Sequence, residues 1–350
     1  MTADNLFAQQ AANRRSSTLL VAGFVVFFAW VGFGGDLGLY LLTEQAEPGA
    51  YRHTIPFMGI AALLVAGGIA WFSWRHGPKR VLWSSGAWEL ITPVTFEQRQ
   101  LMNVVEEMSI ASGLPKPSVW VVPDPDPNAF ATGVDPSDAH IAVTEGLLHV
   151  LDRAELQGVV AHEMAHVRNF DVRLMTLLAA MVGVIALMSD GFGRVLQVKG
   201  GRMPRMGGRG GGRRGGNPLA ILVLVAWVLT LIVAPIISRL IAMTVSRKRE
   251  FLADATGAQL TRNPAALASA LEKLDGAAAA TVAIRRGAAH LCIVDPAERR
   301  IAAREGFVGD VFASHPPIRQ RITRLKGMSY QLAKQAGEES HPISPAGPSA

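Results

Sequence analysis

The chain has 350 residues, of which 49% are hydrophobic and 18% charged, and it carries a formal net charge of +6. Its mean hydropathy of +0.25 is too apolar for an ordinary soluble enzyme and predicts membrane spans, while its single cysteine excludes an internal disulfide and a metal site built from thiolates. A net positive charge is compatible with nucleic-acid binding, but in a membrane protein it more often comes from basic residues that flank the spans.

Two segments near the N-terminus are long and apolar enough to cross a bilayer. The first runs from Thr18 to Leu42 and the second from Ile55 to Trp74. Arg14 and Arg15 precede the first segment, but no small-residue cleavage site follows it, so we expect an uncleaved anchor rather than a signal peptide. We therefore assign residues 1–80 to a membrane region with two transmembrane helices.

The next part of the chain has the pattern of a soluble domain. A capping box predicts a helix over residues 95–113. Residues 118–122 and 139–143 are rich in strand-forming side chains, and residues 128–133 lie between them after a proline-rich loop. This order predicts a small, mostly antiparallel sheet within residues 81–173, the first part of a catalytic domain.

The most informative element is the pentapeptide from His162 to His166, which contains His-Glu-x-x-His. Two histidines four residues apart lie on one helical face and can bind one metal ion, which leaves Glu163 to act on a bound water. The pattern is typical of a zinc hydrolase. Asp152 and Glu155 open this helix as a capping box, and we expect it to continue unbroken into the next apolar run.

Two further apolar runs are residues 174–188 and 218–243. The first has only 15 residues and is either a span or a buried core helix; if both runs enter the membrane, they form a hydrophobic hairpin that crosses it or is re-entrant. Between them, residues 191–216 form a loop rich in glycine and arginine. Such a loop can bind RNA or anionic lipid, although a solvated connection between two membrane helices is the simpler interpretation.

A hydrolytic zinc site needs a third protein ligand. Asn169 and Val172 stand where a metzincin would have glycine and histidine, so that class is excluded. Glu250 on a second helix is the alternative ligand, and Asp254, one turn further on, is placed to accept a hydrogen bond from a ligating imidazole. The competing interpretation is that Glu250 and Asp254 lie on a solvent-exposed helix start, where the cations of residues 247–249 balance their charge.

The remainder of the chain returns to soluble character. Asn263 and Pro264 open one predicted helix, and another follows Pro316 and Pro317. We assign residues 244–334 to the second part of the catalytic domain and residues 335–350 to a disordered tail.

From residue 86 to about Lys326, this sequence resembles the HtpX-type membrane zinc endopeptidases and, more distantly, the zinc-dependent CAAX prenyl proteases. The resemblance implies a mainly α integral membrane protein with about four membrane helices, a gluzincin-like (thermolysin-like) helical catalytic core and the small sheet. The shared motifs are Leu114–Pro117, Pro127–Gly133, Val143–Leu148, Ala161–Asp171, Ser246–Asp254 and His315–Arg321.

The resemblance also implies one Zn²⁺ per chain, bound by His162, His166 and Glu250, with Glu163 as catalytic base. The active site would face the cytoplasm from the bacterial plasma membrane and serve proteolytic quality control under stress. Its substrates would be misfolded or membrane-associated proteins, with the lipid bilayer as the other partner. The sequence indicates no oligomeric state and gives no specific support for nucleic-acid binding.

Further roles follow from the same resemblance. His315 would stabilise the oxyanion, unless it merely caps a helix, and Arg321 would pair with Asp254. Asn169 and Asp171 match the family motif, and we expect them to form capping or interhelix hydrogen bonds rather than to take part in the chemistry. A substrate-binding edge strand is the role implied for Asn128, Ala129, Phe130, Ala131 and Thr132, and an ordinary core strand is its alternative.

Two other functions compete with quality-control proteolysis. A CAAX-type processing protease would have more spans around a large intramembrane chamber than four apolar runs allow. An inactive membrane scaffold with a basic loop that binds lipid or RNA is the alternative outside enzymes, but Glu163 is intact, and a pseudoenzyme is free to lose its base.

Overall fold

The computed structural model describes residues 3–44, 49–177, 218–277, 291–294 and 316–339. The chain divides into two compact units, one formed by Met1–Val81 and Arg173–Thr244, the other by Leu82–Val172 and Val245–Ala350. The helices are α1 (Ala3–Thr43), α2 (Phe57–Ser84), α3 (Phe96–Ser112), α4 (Glu145–Val150), α5 (Arg153–Arg168), α6 (Pro218–Thr261), α7 (Pro264–Asp275) and α8 (Ile318–Glu339). The strands are β1 (Trp88–Glu89), β2 (Ser118–Val122), β3 (Ala129–Gly133) and β4 (Ala139–Thr144).

Among the described residues, two helices are long and apolar enough to cross a membrane, Ala11–Thr43 and Phe57–Ser84, and they include most of both segments predicted from the sequence. They pack through a small apolar cluster that includes Phe28 and Ala66. The helices approach closely, since a Cβ on Gly32 would lie 2.6 Å from the Cα of Gly59.

A buried carboxylate joins the two spans at one end. Asp36 of α1 accepts hydrogen bonds from the amides of Met58 and Gly59 in the first turn of α2, at 3.2 and 2.6 Å. Its Oδ1 also lies 2.7 Å from Nε2 of His53. Asp36 therefore satisfies amides that a helix N-terminus leaves unpaired, which explains a charged residue within an apolar segment.

The third apolar run begins α6, whose residues Pro218–Val233 form a shorter apolar helix. Within the first unit its Trp227 donates a hydrogen bond of 2.7 Å to the carbonyl of Val31. The same helix continues without a break to Thr261 and carries Glu250. An apolar segment and a candidate metal ligand therefore share one helix.

The second unit contains a four-stranded sheet of order β1-β2-β4-β3. β2 and β4 are parallel, whereas β1–β2 and β3–β4 are antiparallel, so the mostly antiparallel prediction is confirmed. β3 is an edge strand. Helices α3, α5 and α7 supply the core beside the sheet, and the predicted capping boxes at Thr95 and Asp152 both form.

The predicted continuity of the motif helix is wrong. α5 ends at Arg168 with Asn169 as its C-cap, and Phe170 has a φ of 59°, in the left-handed region that interrupts a helix. Residues 171–177 are helical again. The predicted tail is also wrong for residues 335–339, which extend the amphipathic α8. The Gly/Arg-rich loop, most of the run 174–188 and residues 340–350 lie outside the described residues.

Candidate metal centre

Three potential ligand side chains converge where α5 meets α6. The Nε2 atoms of His162 and His166 lie 3.2 Å apart, and they lie 3.5 and 3.4 Å from the carboxylate oxygens Oε2 and Oε1 of Glu250. A tetrahedral ion with bonds of about 2.0–2.1 Å separates its ligands by about 3.4 Å. The three side chains are therefore close enough to bind one metal ion together, and a tetrahedral ion held by them would have a fourth position for a water or a substrate oxygen.

Close packing of the helices makes this convergence possible. A Cβ on Gly257 of α6 would lie 3.1 Å from the amide nitrogen of His162, and a Cβ on Gly158 of α5 would lie 3.0 Å from the backbone of Leu267 in α7. The small residues allow both neighbouring helices to approach the backbone of α5. Glu250 lies about two turns before Gly257 on α6, and so reaches the histidines.

Glu163, between the two histidines in the sequence, is 1% exposed. Burial raises its pKa above the usual value because it penalises the charged carboxylate, and the histidines oppose that rise. Buried carboxyl groups with raised pKa values are suited to taking up and releasing a proton near neutral pH.

The predicted residues Asp254 and Arg321 contact each other and His162. Arg321 donates through Nε and Nη2 to the two oxygens of Asp254 at 2.9 and 2.7 Å. Oδ1 of Asp254 lies 3.0 Å from Nδ1 of His162, so the ring can donate there and turn Nε2 towards the candidate metal position. Burial works to raise the pKa of Asp254, but Arg321 and His162 outweigh it and hold that pKa low.

Asp171 orients the second histidine, a contact that sequence reasoning missed when it gave this residue only a structural hydrogen bond. Its Oδ2 lies 3.2 Å from Nδ1 of His166, and its Oδ1 lies 3.4 Å from Nε of Arg249. Each histidine thus has a carboxylate at Nδ1 and its Nε2 facing the other ligands. The sequence does show an aspartate five residues after His166. Its carboxylate can return to the His166 ring because the helix is interrupted at Phe170.

The predicted substrate strand lies at the sheet edge, shifted by one residue, because β3 comprises Ala129–Gly133. The amide of Thr144 donates to the carbonyl of Asn128 at 3.0 Å, and in an antiparallel pair only alternate residues bond to the neighbouring strand. Ala129 and Ala131 therefore direct their backbone N–H and C=O groups away from β4. The carbonyl of Ala129 accepts from the amide of Ile293 at 2.9 Å, whereas no such bond is present at Ala131 among the described residues.

The segment 291–294 connects this edge to the metal centre. Nδ2 of Asn128 donates to the carbonyl of Val294, and Nη1 of Arg321 donates to the carbonyl of Ile293, both at 2.9 Å. Nη1 of Arg321 also lies 3.0 Å from Oε2 of Glu250. Asn128, Phe130 and Thr132 are buried, as are all positions of β3. His315 lies outside the described residues.

Residues 95–329 match peptidase family M48. A protease HtpX homolog of Tropheryma whipplei strain Twist is 43% identical over 92% of this chain and 98% of its own length. A protease HtpX homolog of Caldanaerobacter subterraneus is 38% identical over 94% of this chain and 100% of its own length. Among solved structures, Ste24p of S. mikatae is similar with a TM-score of 0.45 and 16% identity, covering 92% of this chain and 67% of that one.

Proposed function

The chain belongs to peptidase family M48 and is a membrane metalloprotease, and from this premise we propose that its metal is zinc, one ion held by His162, His166 and Glu250. The observation that carries the proposal is the convergence of these side chains: the two Nε2 atoms lie 3.2 Å apart, and they lie 3.5 and 3.4 Å from the Oε2 and Oε1 atoms of Glu250. Two imidazoles and a carboxylate around an open fourth position are a common ligand set of catalytic zinc, as in the gluzincins. The reaction is hydrolysis within protein chains, which makes the protein an endopeptidase.

Zinc, when bound, lowers the pKa of a coordinated water and polarises the scissile carbonyl. Glu163 removes a proton from the attacking water, and the oxygen forms the new bond to the carbonyl carbon. The same proton then passes to the amine nitrogen as the peptide bond breaks, so Glu163 ends each turnover as it began.

The residues around the ligands keep this geometry fixed. Asp254 and Asp171 each hold one imidazole with its Nε2 directed towards the other ligands, and Arg321 neutralises the buried carboxylates of Asp254 and Glu250. From its chain position six residues before Arg321, we assign His315 to the stabilisation of the oxyanion.

Substrate binding by addition to β3 is supported by its edge position and by the outward backbone of Ala131. A peptide that pairs with a strand is held by main-chain bonds, and these are largely indifferent to side chains. Loose sequence preference suits the degradation of misfolded or membrane-associated proteins. We therefore propose quality-control proteolysis as the biological role.

We place the protein in the bacterial plasma membrane with its catalytic part facing the cytoplasm. Two antiparallel spans put the exposed Arg14 and Arg15 of α1 on the same side as Arg75, Lys79 and Arg80 of α2. Positive flanks favour the cytoplasmic side, and the second unit follows directly from α2. The apolar runs 174–188 and 218–243 bring our proposed set to about four membrane helices. If both cross fully, the basic loop 191–216 between them is translocated against the positive-inside rule, whereas a re-entrant hairpin leaves that loop on the cytoplasmic side.

The test is cleavage of an unfolded protein by the full chain, purified in detergent under chelator and then given zinc. Glu163→Gln is the matched control, because it keeps all three ligands and removes only the proton acceptor. We expect one zinc per chain by elemental analysis in both proteins, and cleavage only in the unaltered one.

Cleavage that persists in Glu163→Gln would refute the assigned base. An absence of zinc binding at micromolar metal would refute the ligand set, and zinc binding with no cleavage of any unfolded protein would refute the broad specificity that strand addition implies.

A further inference from the structure

Large apolar side chains are exposed in one short stretch of the second unit. Trp83, Trp88, Ile91, Val94 and Phe96 are 63%, 40%, 76%, 76% and 66% exposed. The other exposed large apolar residues described in this unit, such as Ile110 on α3, are scattered. Five exposed large apolar side chains within 14 residues indicate a binding surface, whereas isolated apolar residues on a protein surface are ordinary.

Hydrogen bonds hold this stretch in a defined conformation. Leu90 is buried, with 2% of its surface exposed, and its amide donates to the carbonyl of Val119 at 2.8 Å. The amide of Val94 donates to the side chain of Gln98 at 2.8 Å, and Nη1 of Arg99 donates to the carbonyl of Val94 at 2.7 Å. Ile91 and Val94 therefore face outwards from a fixed backbone rather than from a loose loop.

The position of the stretch in the chain identifies its partner. Trp83 lies in the last turn of α2, a helix long and apolar enough to cross a membrane, and β1 begins only four residues after α2 ends. Arg75, Lys79 and Arg80 are exposed on α2 just before Trp83. Tryptophan beside basic residues at the end of a span is typical of the membrane interface, where the cations attract anionic headgroups.

We propose that residues 83–96 form an interfacial anchor, which inserts Ile91, Val94 and Phe96 among the headgroups of the bilayer. The anchor holds the second unit at the membrane surface through contacts additional to the spans. Apolar side chains are stabilised by leaving water, and the fixed backbone keeps the ordering cost low. The inference does not depend on the proposed zinc chemistry, because none of these side chains belongs to the metal centre.

The test places one environment-sensitive fluorophore on the full chain in vesicles of phosphatidylcholine and phosphatidylglycerol. Cys292 is the only cysteine and is buried, so a Cys292→Ala background accepts a single new cysteine. Ile91→Cys carries the probe, and Ile110→Cys is the matched control because Ile110 is 78% exposed but lies outside the stretch. Val94→Cys repeats the measurement if Ile91→Cys fails to fold.

We expect the probe at position 91 to emit at shorter wavelength than the probe at 110, and to be quenched several-fold more by spin-labelled lipid. Equal access of aqueous iodide to both probes would overturn the proposal. Protection from iodide without quenching by lipid would also overturn it, since a second copy or another protein would then cover the surface. Equal quenching by lipid at 110 would show that the contact is not specific to this stretch.

Discussion

Arg321→Met should destabilise the catalytic unit strongly. Arg321 is 1% exposed, donates to Asp254 at 2.9 and 2.7 Å, and lies 3.0 Å from Glu250. Removing it leaves two buried carboxylates without their cation, and loss of one partner from a buried ion pair costs about 3–5 kcal/mol. For a unit of this size, that cost corresponds to a fall of about 6–20 °C in the unfolding midpoint.

The assay is thermal unfolding of the chelator-treated chain in detergent, so that metal binding does not contribute to the midpoint. Lys326→Met on the same helix is the control, since its pair with Glu272 has side chains 59% and 47% exposed. Exposed pairs contribute about 1 kcal/mol or less. If Arg321→Met lowers the midpoint no more than Lys326→Met does, the argument from burial is refuted. Asp254→Asn should recover part of the loss in the Arg321→Met background.

Three further predictions concern the ligand shell and the sheet edge. Asp171→Asn should weaken zinc binding about 10- to 100-fold, because the ring of His166 would no longer be held in its orientation. The zinc affinity is measured by competition with a metal-binding dye, and an unchanged affinity would show that Asp171 does not orient His166. Gly257→Ala should cost about 1–3 kcal/mol by forcing α6 away from His162, and chemical unfolding in detergent should detect it. Ala131→Pro should lower kcat/KM about two- to tenfold by removing one outward N–H, with zinc content unchanged, whereas Ala131→Gly keeps that N–H and should retain activity.

Local patterns predicted the elements that depend on neighbouring residues. The capping boxes at Thr95 and Asp152 form as expected, because their partners are three residues away. The spacing of His162 and His166 likewise needs only one helical turn. The two long apolar helices near the N-terminus follow from the length of apolar sequence alone.

Two kinds of feature were not predictable in this way: those that depend on residues far apart in the sequence, and those that depend on backbone atoms alone. Phe170 adopts a positive φ although nothing in its side chain favours one, and the break in the helix depends on it. Ile293 joins β3 to Arg321 through backbone atoms, which every residue possesses, so its identity carries no signal. The approach of α6 to α5 at Gly257 depends on packing between segments far apart in the sequence.

The candidate ligands lie far apart along the chain, with His162 and His166 on α5 and Glu250 on α6. During synthesis at about 5–20 residues per second, the roughly 80 residues between His166 and Glu250 take about 4–16 s to be made. Arg321 emerges later still. A growing chain therefore carries the His-Glu-x-x-His helix well before its third candidate ligand has been made, so we expect no proteolysis by the nascent chain until Glu250 is present.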